Sequence, residues 1–192
     1  TGIAVGWSVI VSSEYVGHPW CNGYKEDHCI CYSCNRNGNG FRLYIWKSIL
    51  EIMRVLILCT GNSCRSQMAH GILQSLDDTI EVCSAGTHPV EQVNPNAIAV
   101  MREIGIDISE HTPTDVRQYL TQEWDYVITV CGNANETCPV FAGHVKHRLH
   151  IGFDDPSDVT GTPDFIKNEF RRVRDNIKMK FYDFYLHIKG HC

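Results

Sequence analysis

The chain has 192 residues, a formal net charge of −5 and 43% hydrophobic content, enough for one buried core and an appendage. An acidic balance excludes a protein that coats nucleic acid or an anionic membrane, so any small anion has to be caught by local geometry. No apolar run approaches the roughly 20 residues that span a bilayer, and the opening TGIAVGWSVIV lacks the positive flank of a secretory signal; a soluble, cytoplasmic monomer is expected.

Ten cysteines suggest a disulfide scaffold, yet the long helix-patterned segments exceed the small secreted class that needs one. Reactive or metal-binding thiols fit better. The character of the chain changes at Met53. Residues 1–52 are glycine-rich, show no regular amphipathic period and are charge-balanced, so the whole net charge falls on residues 53–192. His18, Cys21, Cys31 and Cys34 have the H-x2-C and C-x2-C spacing of a zinc knuckle. The plainer reading of residues 1–52 is an N-terminal extension, irregular or foreign to the native protein, ahead of a complete domain at 53–192.

From Met53 the elements follow in a clear order. MRVLILC (53–59) is a short apolar, β-branched run suited to a strand buried on both faces. SQMAHGILQSL (66–76) has helical spacing at Met68, Ile72, Leu73 and Leu76, and IEVCSAG (80–86) reads as a second strand. Asn94 caps a helix with Pro95 at its first position, and Gly105 closes it. A weaker helix is expected over 115–124, a strand over 125–131 and a short strand over 147–153. A long amphipathic helix runs from Pro163 through Ile166, Phe170, Val173, Ile177, Phe181, Phe184 and Ile188. Strands alternating with helices predict an α/β fold, a doubly wound parallel sheet of about four strands flanked by helices. Ligands of such sheets sit beyond the carboxyl ends of the strands, where the turns after Cys59, Cys131 and Phe153 fall.

The first of these turns, CTGNSCRS (59–66), carries the chemistry. The five residues between Cys59 and Arg65 can wrap their N–H groups around a tetrahedral oxyanion as a nest, aided by the positive end of the following helix. Thr60, Gly61, Asn62, Ser63, Cys64, Arg65 and Ser66 are the expected oxyanion-binding set. Gly61 permits close approach or positive φ, Asn62 tolerates a left-handed backbone, and Arg65 offers a planar fork for two oxygens. The same field is expected to depress the Cys59 pKa and make it a nucleophile, with Ser66 donating to the thiolate. A structural loop around an inert cysteine fits these residues poorly, and the lysine of a nucleotide P-loop is absent. In FDDPSD (153–158), Asp155 is a candidate proton donor for a leaving oxygen, held extended by the following proline.

C-x5-R-S at the head of the domain, with Asp155-Pro156 near its end, resembles the low-molecular-weight protein tyrosine phosphatase fold. Within that fold RSQMA, SAGTHPVEQVNPNAI and EIGIDISEHT resemble the thioredoxin-coupled arsenate reductases. The discriminating feature is VCGNANETCP (130–139), whose Cys131 and Cys138 correspond to the redox shuttle of those reductases; a phosphatase has no use for it. A zinc site using these cysteines with His144, His147 or His150 is the alternative.

The resemblance implies that Cys59 attacks arsenate, Asp155 protonates the departing oxygen, Cys131 attacks Cys59, and Cys138 frees Cys59 by disulfide exchange. No cofactor is bound; thioredoxin supplies the electrons. Because bridged cysteine α-carbons approach within about 7 Å, the Cys131–Cys138 segment has to move. Family members that bind potassium commonly have a carboxylate where this chain has His70, so no potassium site carries over. The other readings are a low-molecular-weight phosphatase or a non-catalytic oxyanion sensor. Cys83 reads as a buried small hydrophobe, His88 and His111 as caps or exposed residues, and His191 and Cys192 as tail.

Overall fold

The computed structural model describes residues 30–34, 41–45, 52–131 and 140–190. The chain separates into two units, Thr1–Leu50 and Glu51–Cys192. In the first, β1 (Ile30–Cys34) and β2 (Phe41–Ile45) pair antiparallel, with Cys31 opposite Tyr44. A regular pair was not expected there, but β-branched and aromatic residues flanking the polar stretch NRNGNG are a hairpin signal. Of the zinc-knuckle residues, Cys31 and Cys34 lie on β1, while His18 and Cys21 lie outside the described residues.

The second unit is built on a four-stranded parallel sheet. It comprises β3 (Arg54–Cys59), β4 (Glu81–Gly86), β5 (Trp124–Thr129) and β6 (Val145–His150), in the order β4-β3-β5-β6. β3 is central and buried on both faces, as its unbroken apolar run requires. Val55, Ile57 and Cys59 face one cluster and Leu56 and Leu58 the other, the period-two alternation of a strand. The chain crosses from β3 to β4 on one side and then to β5 on the other. Strand order therefore reverses beside β3, and the crevice of such a sheet opens at the carboxyl ends of β3 and β5.

Three helices cover the face of Val55 and Ile57: α1 (Arg65–Leu76), α2 (Pro95–Arg102) and α3 (Pro163–Ile188). Asn94 caps α2 by accepting from the Asn96 N–H, with Pro95 at its first position, and Gly105 follows with φ of 80°. Thr162 caps α3 through the Phe165 N–H. On its inner face α3 buries Phe170, Val173, Ile177 and Phe181. Phe181 is fully buried, and its ring meets those of Phe184 and Phe153 at centroid distances of 6.2 and 6.4 Å.

The helix expected over 115–124 is instead a single 3₁₀ turn, Val116–Gln118. Asp115 makes a parallel bridge with Gly86 at one end, and Trp124 enters β5 at the other with its N–H on the His144 carbonyl at 2.8 Å. Too few residues remain between those anchors to nucleate a stable α-helix. Val116 and Phe141 close the second face over Leu56 and Leu58.

Deleting the Phe181 ring leaves a cavity that rigid neighbours fill poorly. Phe181→Ala is expected to lower the unfolding free energy by about 3–5 kcal/mol, measured by denaturant titration; an unchanged midpoint would remove Phe181 from the core.

Candidate active site

Residues 59–66 join the end of β3 to α1, and their backbone is held from outside. The N–H groups of Thr87, His88, Val90 and Asn94 donate to the carbonyls of Cys59, Thr60, Gly61 and Ser63 at 3.1, 2.9, 3.0 and 3.0 Å. With those carbonyls turned outward, the intervening N–H groups are left to face the inside of the loop, the arrangement of an anion nest. The first turn of α1 contains no acidic residue, and its N-cap, Cys64, makes no side-chain capping bond. The positive end of the helix dipole is therefore directed into the loop without a neutralising side chain.

Local strain falls on one residue. Asn62 has φ of 50°, whereas Gly61 is not in the left-handed region, so the freedom ascribed to Gly61 is used by its neighbour. The glycine that the loop needs is Gly86, opposite Cys59 in the β3–β4 register. A Cβ at Gly86 would lie 2.5 Å from the Thr60 carbonyl oxygen and 3.1 Å from the Asn62 backbone nitrogen. A small residue where two parallel strands end side by side was the signal available for it.

The Cys59 sulfur is buried and meets the Ser66 Oγ at 2.8 Å and the Asn62 N–H at 3.0 Å. Burial pushes the thiol pKa up, against the pull of Ser66 and Asn62, and Cys131 adds to the rise. This corrects the expectation of a depressed pKa. Desolvation outweighs the hydrogen bonds, and the charge of Arg65 is matched by a carboxylate: its Nη2 is paired with Asp155 Oδ2, and its Nη1 donates to the Phe153 carbonyl at 3.0 Å. Asp155 Oδ1 accepts from the Ser157 N–H at 3.0 Å and from its Oγ at 2.7 Å, which fixes the carboxylate at the head of the 3₁₀ turn Pro156–Asp158.

A cavity of about 400 Å³ opens at this end of the sheet, and Cys59, Thr60, Gly61, Ser63, Cys64, Arg65, Cys131 and Asp155 all line it. Cys131 follows β5 and is buried, with its Sγ 3.5 Å from Thr60 Oγ1. Cys59, Cys64 and Cys131 are free thiols. The structure thus places Cys59, Arg65, Cys131 and Asp155 around one space; Cys138 lies outside the described residues. Cys64 also lines the cavity, with its Sγ 3.4 Å from Ser157 Oγ, and burial raises its pKa. Asn62 and Ser66 stand behind the loop as bracing.

Among the described residues no group of three His, Cys, Asp or Glu side chains could hold a metal ion. His147 stacks on Tyr126 and His150 bonds Thr129 Oγ1 through Nδ1 at 2.8 Å. His88 is exposed on its rim loop, and its Nδ1 lies 3.3 Å from Thr87 Oγ1. Cys83 is half-buried, and His191 and Cys192 lie outside the described residues.

Two contributors escaped the sequence reading. Gln67 binds the Asn62 backbone and side chain, and His111, expected to cap or lie exposed, is half-buried against Gln67, its ring tilted 35° against that of His70. Burial and the neighbouring His111 hold the His70 pKa down to about 4. Because the folded value lies below the ordinary one near 6.5, the stability contributed by neutral His70 is fully present above pH 6.5. It is lost as pH falls through 4, amounting to about 3 kcal/mol. Urea unfolding at pH 7 and pH 4 is expected to show this loss, and His70→Gln to flatten it; the same slope in both proteins would assign the acid sensitivity elsewhere.

Comparison with known proteins sharpens the picture. Residues 54–191 match the family model for low molecular weight phosphotyrosine protein phosphatase. The chain is similar to an arsenate reductase of Halalkalibacterium halodurans, 48% identical over 131 residues, covering 68% of this chain and 93% of the relative. A solved arsenate reductase in its phosphate-binding state superposes with a TM-score of 0.59 at 32% identity, covering 69% of this chain and 95% of that one. A thioredoxin-dependent arsenate reductase of Corynebacterium glutamicum shares the fold, with a TM-score of 0.53 at 24% identity, over 73% of this chain and 63% of that one.

Proposed function

Because the chain belongs to the arsenate reductases of the low molecular weight phosphotyrosine protein phosphatase family, we propose that its cavity reduces arsenate to arsenite by a cascade of three cysteines recycled by thioredoxin. The observation that carries this reading is Cys131, a free thiol from outside the loop that lines the same cavity as Cys59, with its Sγ 3.5 Å from Thr60 Oγ1. A phosphomonoester hydrolase needs only Cys59.

Arsenate binds against the inward amides of residues 60–66 and takes two of its oxygens to Arg65, exchanging with Asp155 and the Phe153 carbonyl for the guanidinium. Bidentate pairing with the planar fork favours a tetrahedral dianion there. The negative charge of the bound anion is held by the nest and the helix end. The Cys59 thiol gives up its proton to Asp155, freed from Arg65 and still held by Ser157; the thiolate attacks arsenic, and Asp155 passes that proton to the departing oxygen, which leaves as water. Cys59 is now bonded to pentavalent arsenic. The Cys131 thiolate attacks the Cys59 sulfur; the S–As electron pair passes to arsenic, arsenite leaves, and a Cys59–Cys131 disulfide remains.

Cys138 then attacks Cys131, releasing the Cys59 thiolate, and thioredoxin reduces the Cys131–Cys138 disulfide by the same exchange chemistry. The two electrons gained by arsenic are those lost by the two sulfurs of the first disulfide. No cofactor takes part. Free buried thiols at a working site suit a reducing compartment, and no helix among the described residues is long and apolar enough to cross a membrane. We place the protein in the cytoplasm as a monomer.

Arsenate is expected to drive NADPH oxidation through thioredoxin and its reductase. Cys138→Ser should stop after about one turnover, because the first disulfide has no intramolecular partner for exchange; sustained turnover by that variant with thioredoxin alone would sink the cascade. Asp155→Asn is expected to lower kcat by about 10²–10⁴-fold through loss of the proton donor, and single-turnover arsenite release at saturating arsenate reads that step directly. A wild-type rate in Asp155→Asn would assign the proton to another group.

A further inference from the structure

The segment FDDPSD that follows β6 carries three carboxylates, and the structure gives charged partners to two of them. Asp154 takes the Arg172 guanidinium of α3, whose Nη1 and Nη2 both donate to its Oδ2 at 3.0 Å. Asp155 is paired with Arg65 and held by Ser157. The Asp158 carboxylate has no hydrogen-bonded or ion-paired partner among the described residues.

Local structure fixes where that carboxylate stands. Pro156 is buried and opens the 3₁₀ turn that Asp158 closes, while Asp155 caps the same turn through the Ser157 N–H. The Ser157 Oγ lies 3.4 Å from Cys64 Sγ, which ties the turn to the anion loop. Ser157 and Asp158 both line the cavity and both are exposed, whereas Cys59, which also lines it, is buried. Asp158 therefore stands at the open end and the nucleophile at the closed one.

The described lining of the cavity holds one guanidinium, Arg65, against two carboxylates, and none of its residues is aromatic. A tetrahedral anion seated in the loop meets the inward amides, the helix end and Arg65, all of which favour negative charge at that spot. A substituent on such an anion has only the open end to leave by. There it passes Asp158, in a solvent where like charges repel over several ångströms and salt weakens the repulsion. The lining offers no ring against which the substituent could pack to offset that cost.

We infer that Asp158 is a specificity-determining residue at the mouth of the cavity: its carboxylate admits a bare tetrahedral oxyanion and rejects one whose substituent carries further negative charge, as a diphosphate does. The inference rests on the loop being the anion seat of the proposed reaction, but its test uses anions that are not reduced and so stands or falls apart from arsenate turnover.

The full reduced chain is titrated calorimetrically with inorganic phosphate and with pyrophosphate, in metal-free buffer of low ionic strength. Asp158→Asn is expected to tighten pyrophosphate about three- to tenfold and phosphate by less than about twofold, and Asp158→Lys to widen the difference. At about 1 M salt, where the screening length is about 3 Å, the variants are expected to converge on the wild-type ratio of the two affinities. A role confined to shaping the turn would move both anions alike and persist in salt. Asp183→Asn removes an exposed carboxylate of α3 outside the cavity lining and changes the net charge equally; it is expected to leave the ratio unchanged. An unaltered ratio in both folded Asp158 variants overturns the inference, as does an altered one that salt leaves intact or that Asp183→Asn reproduces. Failure of the wild type to bind phosphate would remove the anion seat, and the filter with it.

Discussion

The site depends on four outward hydrogen bonds. The segment from Thr87 to Asn94 takes up the carbonyls of Cys59, Thr60, Gly61 and Ser63. A backbone whose carbonyls are all occupied on one side presents its N–H groups to the other. The anion pocket is therefore a property of two segments together. Gly86 lets them approach, because its missing side chain leaves room for the Thr60 carbonyl. The loop adopts the pocket shape through its neighbour rather than through its own propensities.

Around that frame the charges are arranged in opposition. Arg65 is the cation of the loop, and Asp155 faces it from the end of the chain segment that follows β6. The pair positions both groups at the mouth of the loop; in the proposed reaction an incoming anion takes the place of Asp155 on the guanidinium. Cys59 is buried deeply enough to disfavour its own ionisation. The hydrogen bonds that oppose this penalty, together with the nest and the helix end, act on the bound anion and the sulfur at once. Cys131 lies beside Thr60 and lines the same cavity as Cys59, which is the placement the proposed cascade requires.

Much of this was legible in one dimension. The apolar run of β3, the helical spacing of α1 and α3, and the Asn94-Pro95 start of α2 each reflect a local rule, and the structure follows them. Where the reading failed, a tertiary effect had won. The segment 115–124 has helical character but is pinned at both ends by strands. Cys59 was expected to be acidic from the field of the loop and the helix end, but burial outweighs the hydrogen bonds of Ser66 and Asn62, and Cys131 adds to the rise. His111 lies 52 residues from Cys59 in sequence, and no local pattern relates an imidazole there to Gln67 behind the loop at the end of β3.

The sequence by itself determined the kinds of groups present: a cysteine and arginine bracketing an amide-rich turn, a carboxylate held before a proline, and further cysteines after the third strand of the sheet. It also determined the alternation of strands and helices that puts those turns at one end of a sheet, because hydrophobic period and turn residues are local properties. Only the tertiary structure decided which groups touch. The Arg65–Asp155 pair and the shared cavity of Cys59 and Cys131 arise where strand order reverses beside β3. Distances there are set by packing between segments remote in sequence, and both proton affinity and hydrogen-bond direction depend on those distances.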